Sequence, residues 1–211
     1  MLAISYAYIK LTGAKGLGEC AEVSILNANY MADKLKDDYK ISFRGDQGRV
    51  AHEFIIDLNE IKKKTGITEE DVAKRLMDYG FHAPTMSWPL VGGLMIEPTE
   101  SEDKIEIDRY IDALKSIRQE IRDIEEGKAD KTNNMLKNAP HTLRRLMSDS
   151  WNFPYTRQQA AYPASWILHR GKVFPSVARI DSTFGDRNLI CACPDVSDYT
   201  QSYEETITHK A

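Results

Sequence analysis

Apolar positions along the chain switch between helical and strand spacing, and the switches divide it into short elements. ISYAYIKL, residues 4–11, is a helical pattern with the look of a helix end, which suggests a piece of a longer product. TGAKGLGE, residues 12–19, follows with three glycines, and a second helical pattern runs on from Leu17. Its apolar positions Val23, Leu26, Tyr30 and Leu35 fall near one face, helped by Ala21, Ala28 and Ala32. KISF, residues 40–43, predicts a short strand, and residues 49–58 around HEFIIDL predict another. Residues 62–66 close a helical turn. Thr68 followed by Glu69, Glu70 and Asp71 predicts a capped helix start. That helix carries Val72, Leu76 and Tyr79 and stops at Gly80.

FHAPTMSWPLVGGLMIEP combines prolines with one apolar run, predicting a loop that feeds a strand at 90–97. The clearest helix spans 102–126, where Ile107, Tyr110, Leu114, Ile117, Ile121 and Ile124 step by three and four. Residues 127–140 are polar and predict an extended connection. The last third opens with SWNFPYTRQQAAYPASW, then predicts a strand at 172–180, a short apolar run at 188–191 and a polar tail. Helices alternating with short strands place the chain in the α/β class with an α+β-like small domain. The strands near Ile41, Phe54 and Met95 are expected to form one small, mainly antiparallel sheet covered by the 102–126 helix. The divisions follow as 1–38, 39–126 and 127–211.

Composition narrows the function classes. The formal net charge of -4 leaves no basic surplus for nucleic acid. No apolar run reaches the roughly 18 residues that span a bilayer. The apolar start at 1–8 lacks the basic flank and cleavage pattern of a signal peptide. Cys20, Cys191 and Cys193 are an odd set, which suits a reducing compartment better than a disulfide scaffold.

Candidate chemistry is sparse. In TGAKGLGE the lysine precedes the second glycine and Glu19 follows the third, so the stretch does not match a phosphate loop. It departs from a helix instead of a strand, against a dinucleotide fingerprint, so a turn between helices is expected. His52-Glu53 begins a zinc-protease motif, but Ile56 stands where the second histidine belongs, and Cys191-x-Cys193 is one residue short of a metal pair. No metal site is expected, and the five histidines, scattered singly, are expected to be hydrogen-bonded or surface residues. HAPTMSW, residues 82–88, is a proline-braced loop dense in hydrogen-bonding groups, the kind of segment that carries ligand contacts. It could equally be a braced turn with Trp88 in the core. Arg157, in the YTR segment, is a weaker candidate for holding a carboxylate.

These segments together resemble the C-terminal part of the glycine decarboxylase P-protein of the glycine cleavage system. The matching stretches include YIKLTGAKGL, FRGDQGRVAHEFIIDL, VAKRLMDYGFHAPTMSWP, EPTESEDK, LKNAPHT, PYTRQQAAYP and ARIDSTFGDRNLICACP. The resemblance implies the small domain and C-terminal extension of an aminotransferase-like fold that binds pyridoxal phosphate. It implies glycine as substrate of the complete enzyme and a lipoyl H-protein as acceptor of the aminomethyl group. It places the cofactor lysine outside this chain, so no catalytic residue is carried over and no covalent cofactor is expected here. The isolated chain is then inactive, with a cofactor-bearing domain or chain as partner. His82, Thr85 and Ser87 are the candidates for facing cofactor or substrate. The expected compartment is the cytoplasm, or the mitochondrial matrix in a eukaryote, and a homo-oligomer remains open. Two other readings keep the same core: a non-catalytic module that docks the H-protein or a full-length decarboxylase, and an inactive remnant.

Overall fold

The computed structural model describes residues 2–169, 171–190 and 193. Helix α1 (Leu2–Leu35) is interrupted at Gly13, which adopts φ 63°, ψ -177°. A left-handed φ suits glycine because it has no Cβ to clash, so the glycine stretch turns the chain as its composition implied. Only Ala28, Met31, Ala32 and Leu35 of α1 are buried. Val23 and Leu26, expected in the core, are exposed, because the inward stripe starts at Ala28 and steps by three, one and three.

Four strands follow: β1 (Lys40–Ser42), β2 (Phe54–Asp57), β3 (Thr85–Met86) and β4 (Gly93–Ile96), in the order β1-β2-β4-β3. Every pairing is antiparallel. β2 is shorter than the predicted 49–58 and is buried along its whole length. In its register with β4, Phe54 faces Ile96 and Ile56 faces Leu94. These four side chains share one sheet face and join the main core. β3 lies inside the segment expected to be a loop: Thr85 pairs with Met95 and Met86 with Leu94.

Between β2 and β3 come α2 (Asn59–Thr65) and α3 (Glu69–Asp78). Thr68 caps α3 as its sequence predicts, since its hydroxyl accepts from the Asp71 N–H while the Asp71 carboxylate accepts from the Thr68 N–H. Helix α4 (Lys104–Glu125) follows β4, capped by Asp103, and buries Ile107, Ile111, Leu114, Ile117, Ile121 and Ile124. These residues, the inward stripe of α1, and Val72 and Leu76 of α3 form one cluster with the sheet face. Fully burying side chains of this size contributes roughly 1.5–3 kcal/mol each.

The predicted extended connection contains α5 (Met135–Asn138), and α6 (Leu143–Leu146), α7 (Arg157–Ala161) and a 3-10 turn (Ser165–His169) follow. The strand expected over 172–180 does not form, and those residues run without regular structure. Among the described residues this segment has no partner strand, and its Lys172 and Arg179 side chains tie it to carbonyls of neighbouring segments instead. The unit beginning at Ile180 is separate, and α8 (Ser182–Arg187) is its described helix, capped by Asp181. Cys191 and the whole of the polar tail from Asp195 lie outside the described residues.

Candidate functional site

The 81–85 segment leaves α3 through Gly80, whose φ is 84°, and crosses in front of α4. An open cleft of about 430 Å³ lies beside it, walled by Met31, His82, Thr85, Glu97 and Tyr110 among others. On the other side of the same segment a second cleft, about 540 Å³, reaches Arg109, Trp166, Lys172 and Phe174. Phe81, His82, Ala83 and Glu106 line both. His82 therefore stands exposed on the partition between two hollows, with the hydroxyl-bearing Thr85 on the first.

Ser87 is placed differently. Its hydroxyl donates to Glu69 Oε1 at 2.8 Å and accepts from the Gly92 N–H at 3.3 Å. Its φ of 56° is the left-handed region, unusual for a residue with a Cβ, and these two bonds hold it there. The structure thus brings His82 and Thr85 together on a cleft and turns Ser87 toward α3. Trp88 does not fill the core, being 66% exposed. The Arg157 guanidinium donates to the carbonyls of Leu146 and Ser148 and stacks on Trp151, so its donors serve the local chain.

Arg109 was not singled out by spacing and is the most distinctive group of the second cleft. Its guanidinium lies 4.2 Å from the Trp166 ring centroid and 5.4 Å from that of Phe81. One terminal nitrogen pairs with the Glu106 carboxylate, and its Nε–H is buried with no hydrogen-bond partner. Stacking on two rings fixes the plane of a delocalised cation. The signal in sequence was faint: Arg109 sits next to Tyr110 at the edge of the apolar stripe of α4, and Trp166 reaches it only through packing. Lys172 donates to the carbonyls of Asp78 and Ala161. Burial pulls its ammonium down to about 8, with Asp78 opposing and Arg75 adding to the shift. In the first cleft, burial raises the Tyr110 hydroxyl above its ordinary value.

Behind these clefts lies a polar network that the sequence also did not disclose. Arg75 is fully buried and bonds Glu120, Asp78 and the carbonyls of Gln159 and Ala160. Asp78 accepts from the His141 backbone N–H at 2.7 Å and ring Nδ1 at 2.8 Å, and His141 Nε2 meets the Tyr155 hydroxyl at 2.9 Å. An ionised Asp78 can only accept, so Nδ1 carries the proton and donates to it, and Nε2 accepts a hydrogen bond from the Tyr155 hydroxyl. Burial alone would raise the Asp78 carboxyl. The His141 hydrogen bond and the Arg75 charge outweigh it and hold the group below the usual carboxylate range. His141, read from spacing as a lone hydrogen-bonded or surface residue, is completely buried.

Among the described residues no group of three His, Cys, Asp or Glu side chains could hold a metal ion. None of the described helices is long and apolar enough to cross a membrane. Residues 20–141 match the model of a family described as glycine dehydrogenase, C-terminal domain. A glycine dehydrogenase (decarboxylating) of Bdellovibrio bacteriovorus is 57% identical over 199 residues, which is 94% of this chain and 21% of that protein. The mitochondrial glycine dehydrogenase (decarboxylating) of Dictyostelium discoideum is 57% identical over 94% of the chain and 20% of its own length. That of Mus musculus, also named mitochondrial, is 54% identical over 97% of the chain and 20% of its length. The chain thus spans about a fifth of the length of the curated relatives it matches.

Proposed function

The chain belongs to the family of the glycine dehydrogenase C-terminal domain, and on that premise we propose that it forms one wall of the substrate site of a pyridoxal-phosphate-dependent glycine dehydrogenase (decarboxylating). The observation that carries this reading is the partition at His82. One residue of the HAPT motif faces two clefts, with Thr85 on one and an oriented, aromatic-stacked Arg109 on the other. A guanidinium held flat, with one terminal nitrogen on Glu106 and its Nε buried, can offer its other terminal nitrogen to a carboxylate in a single charge-assisted bond. Glycine presents such a group. Arg109 would bind and orient it, His82 would hold or move a proton beside it, and the aromatic wall would exclude water.

The donor set does not fit the phosphate of pyridoxal phosphate. Glu97, Glu102 and Glu106 line the first cleft and would repel it. In the second, Glu106 already takes one nitrogen of Arg109 and the Lys172 ammonium is occupied by two carbonyls. The cofactor, an electron sink for decarboxylation when bound, belongs on this reading to the rest of the polypeptide, as does its lysine. The lipoyl H-protein would be the acceptor. The compartment would be the cytoplasm, or the mitochondrial matrix in a eukaryote, and the divisions at 38 and 126 would separate connecting helix, small domain and extension.

The test grafts this chain in place of the matched segment of the Bdellovibrio bacteriovorus relative and measures carbon dioxide release from glycine. His82→Ala should lower turnover strongly, while unfolding free energy shifts by less than about 0.5 kcal/mol, as for an exposed polar residue. Arg109→Lys should raise the KM for glycine. Full activity in both variants would refute the reading and leave a docking module without a part in catalysis.

A further inference from the structure

We propose that Lys172 is a positioning residue for this site: its ammonium caps the ends of α3 and α7 together and thereby fixes where the Phe81–His82 segment stands. The role of His82 rests on the proposed function; what is added is the group that holds His82 in place. A helix leaves its last carbonyls without intrahelical donors. At the end of α3 the carbonyls of Arg75, Leu76 and Met77 accept from the Tyr79, Phe81 and Gly80 amides, a tight exit that the left-handed Gly80 permits. The carbonyl of Asp78, the last residue of α3, takes none of these amides, and Lys172 Nζ donates to it at 2.7 Å. The end of α7 has the same need. Its Gln159 and Ala160 carbonyls accept from Arg75, and the carbonyl of its last residue, Ala161, accepts from the same Lys172 ammonium. One cation therefore serves two helix ends, where the dipoles favour positive charge. The Tyr162 and Phe174 rings, centred 5.6 and 5.0 Å from Nζ, flank it.

What this clamp holds is the partition between the two clefts. His82 stands four residues beyond Asp78. Among the described residues no hydrogen bond holds its side chain, so its place is set by the backbone on either side. Toward Thr85 that backbone is fixed by pairing with β4. Toward Asp78 it is fixed by the exit bonds of α3 and by Lys172. Phe81 adds edge-on contacts to Tyr110 and Trp166, which orient the segment across the clefts but do not tie down the helix end. Lys172 itself reaches α3 from a fixed base. The far end of its segment is anchored where Arg179 donates to the Leu136 and Ala139 carbonyls. Releasing the ammonium would strip one carbonyl from each helix end and free the exit of α3, moving His82 relative to Arg109.

Amide hydrogen exchange in this chain tests the clamp, and kinetics in the grafted full-length relative test its use. In Lys172→Met the hydrogen-bonded amides of Tyr79, Gly80 and Phe81 should exchange faster by about tenfold or more, the size of one lost charge-assisted hydrogen bond. The Ile117 and Ile121 amides of α4 should not change. Lys172→Arg keeps the charge and should restore slow exchange. In the graft, Lys172→Met should lower kcat for glycine by about tenfold or more while KM stays within about twofold, and Lys172→Arg should recover most of the loss. The double variant Lys172→Met/His82→Ala should be no slower than His82→Ala alone, because the first residue acts through the second. Should Lys172→Met not fold, Lys172→Gln, which keeps a donor without the charge, is read by the same criteria. Unchanged exchange or unchanged turnover in the Lys172 variant overturns the proposal, as do losses that multiply in the double variant. A raised KM with kcat intact also overturns it, since Lys172 would then be a direct substrate contact. Full turnover in His82→Ala refutes the active-site wall instead, and the exchange measurement, which needs no substrate, still decides the clamp.

Discussion

Replacing His141 by alanine removes the central link of the chain Asp78–His141–Tyr155. The imidazole is fully buried, and each ring nitrogen has one partner. Its loss leaves the Tyr155 hydroxyl without an acceptor, which costs about 1–3 kcal/mol for a buried polar group. Asp78 keeps the His141 backbone N–H and the Arg75 guanidinium but loses its ring donor, and the space vacated among Trp151, Phe153 and Tyr155 adds a cavity. Together the expected loss is about 3–5 kcal/mol, the range for breaking a buried charged network. Urea unfolding at neutral pH measures it. The same variant carries a pH signature. Because the folded Asp78 carboxyl lies below its unfolded value, its contribution is present above the unfolded pKa and is lost as pH falls through the folded one. The unmodified chain should therefore lose stability on acidification below about pH 4, and His141→Ala should show a shallower loss, since one cause of the depression is gone. A neutral-pH change under about 0.5 kcal/mol, within the range of an unremarkable surface site, or an unchanged acid slope would refute the network's role.

Two further outcomes are expected. Leu114→Ala, at a position with no exposed area in the centre of the core, should cost about 2–5 kcal/mol in the same urea assay; a loss below half a kcal/mol would remove α4 from the core. The isolated chain incubated with pyridoxal phosphate and borohydride should form no stoichiometric adduct, and one mapped to Lys172, whose ammonium is pulled down to about 8, would contradict the assignment of the cofactor lysine to the rest of the polypeptide.

The elements whose signals are local were legible from the residues alone. The α4 stripe declares its buried face through spacing, the Thr68–Asp71 box declares a helix start through hydrogen-bonding chemistry that operates within four residues, and Gly13 declares a turn through the absence of a Cβ. The motif HAPT could be singled out as a candidate because ligand contacts concentrate on loops mounted on a scaffold, with a braced turn an equal reading of the same residues. Long-range closure was not legible. β3 forms in a predicted loop because β4 offers an unpaired edge, and a strand edge belongs to the partner, not to the residues that pair with it. The expected strand at 172–180 pairs with neither outer strand of the sheet, and nothing within its own residues could decide that. Arg109 acquires meaning from Trp166, and His141 from Asp78, across 57 and 63 positions. Such pairs carry no periodicity, since what unites them is the enclosure of charge and aromatic surface away from water. Only packing decides that enclosure, and it is why the wall of the candidate site had to be found in three dimensions.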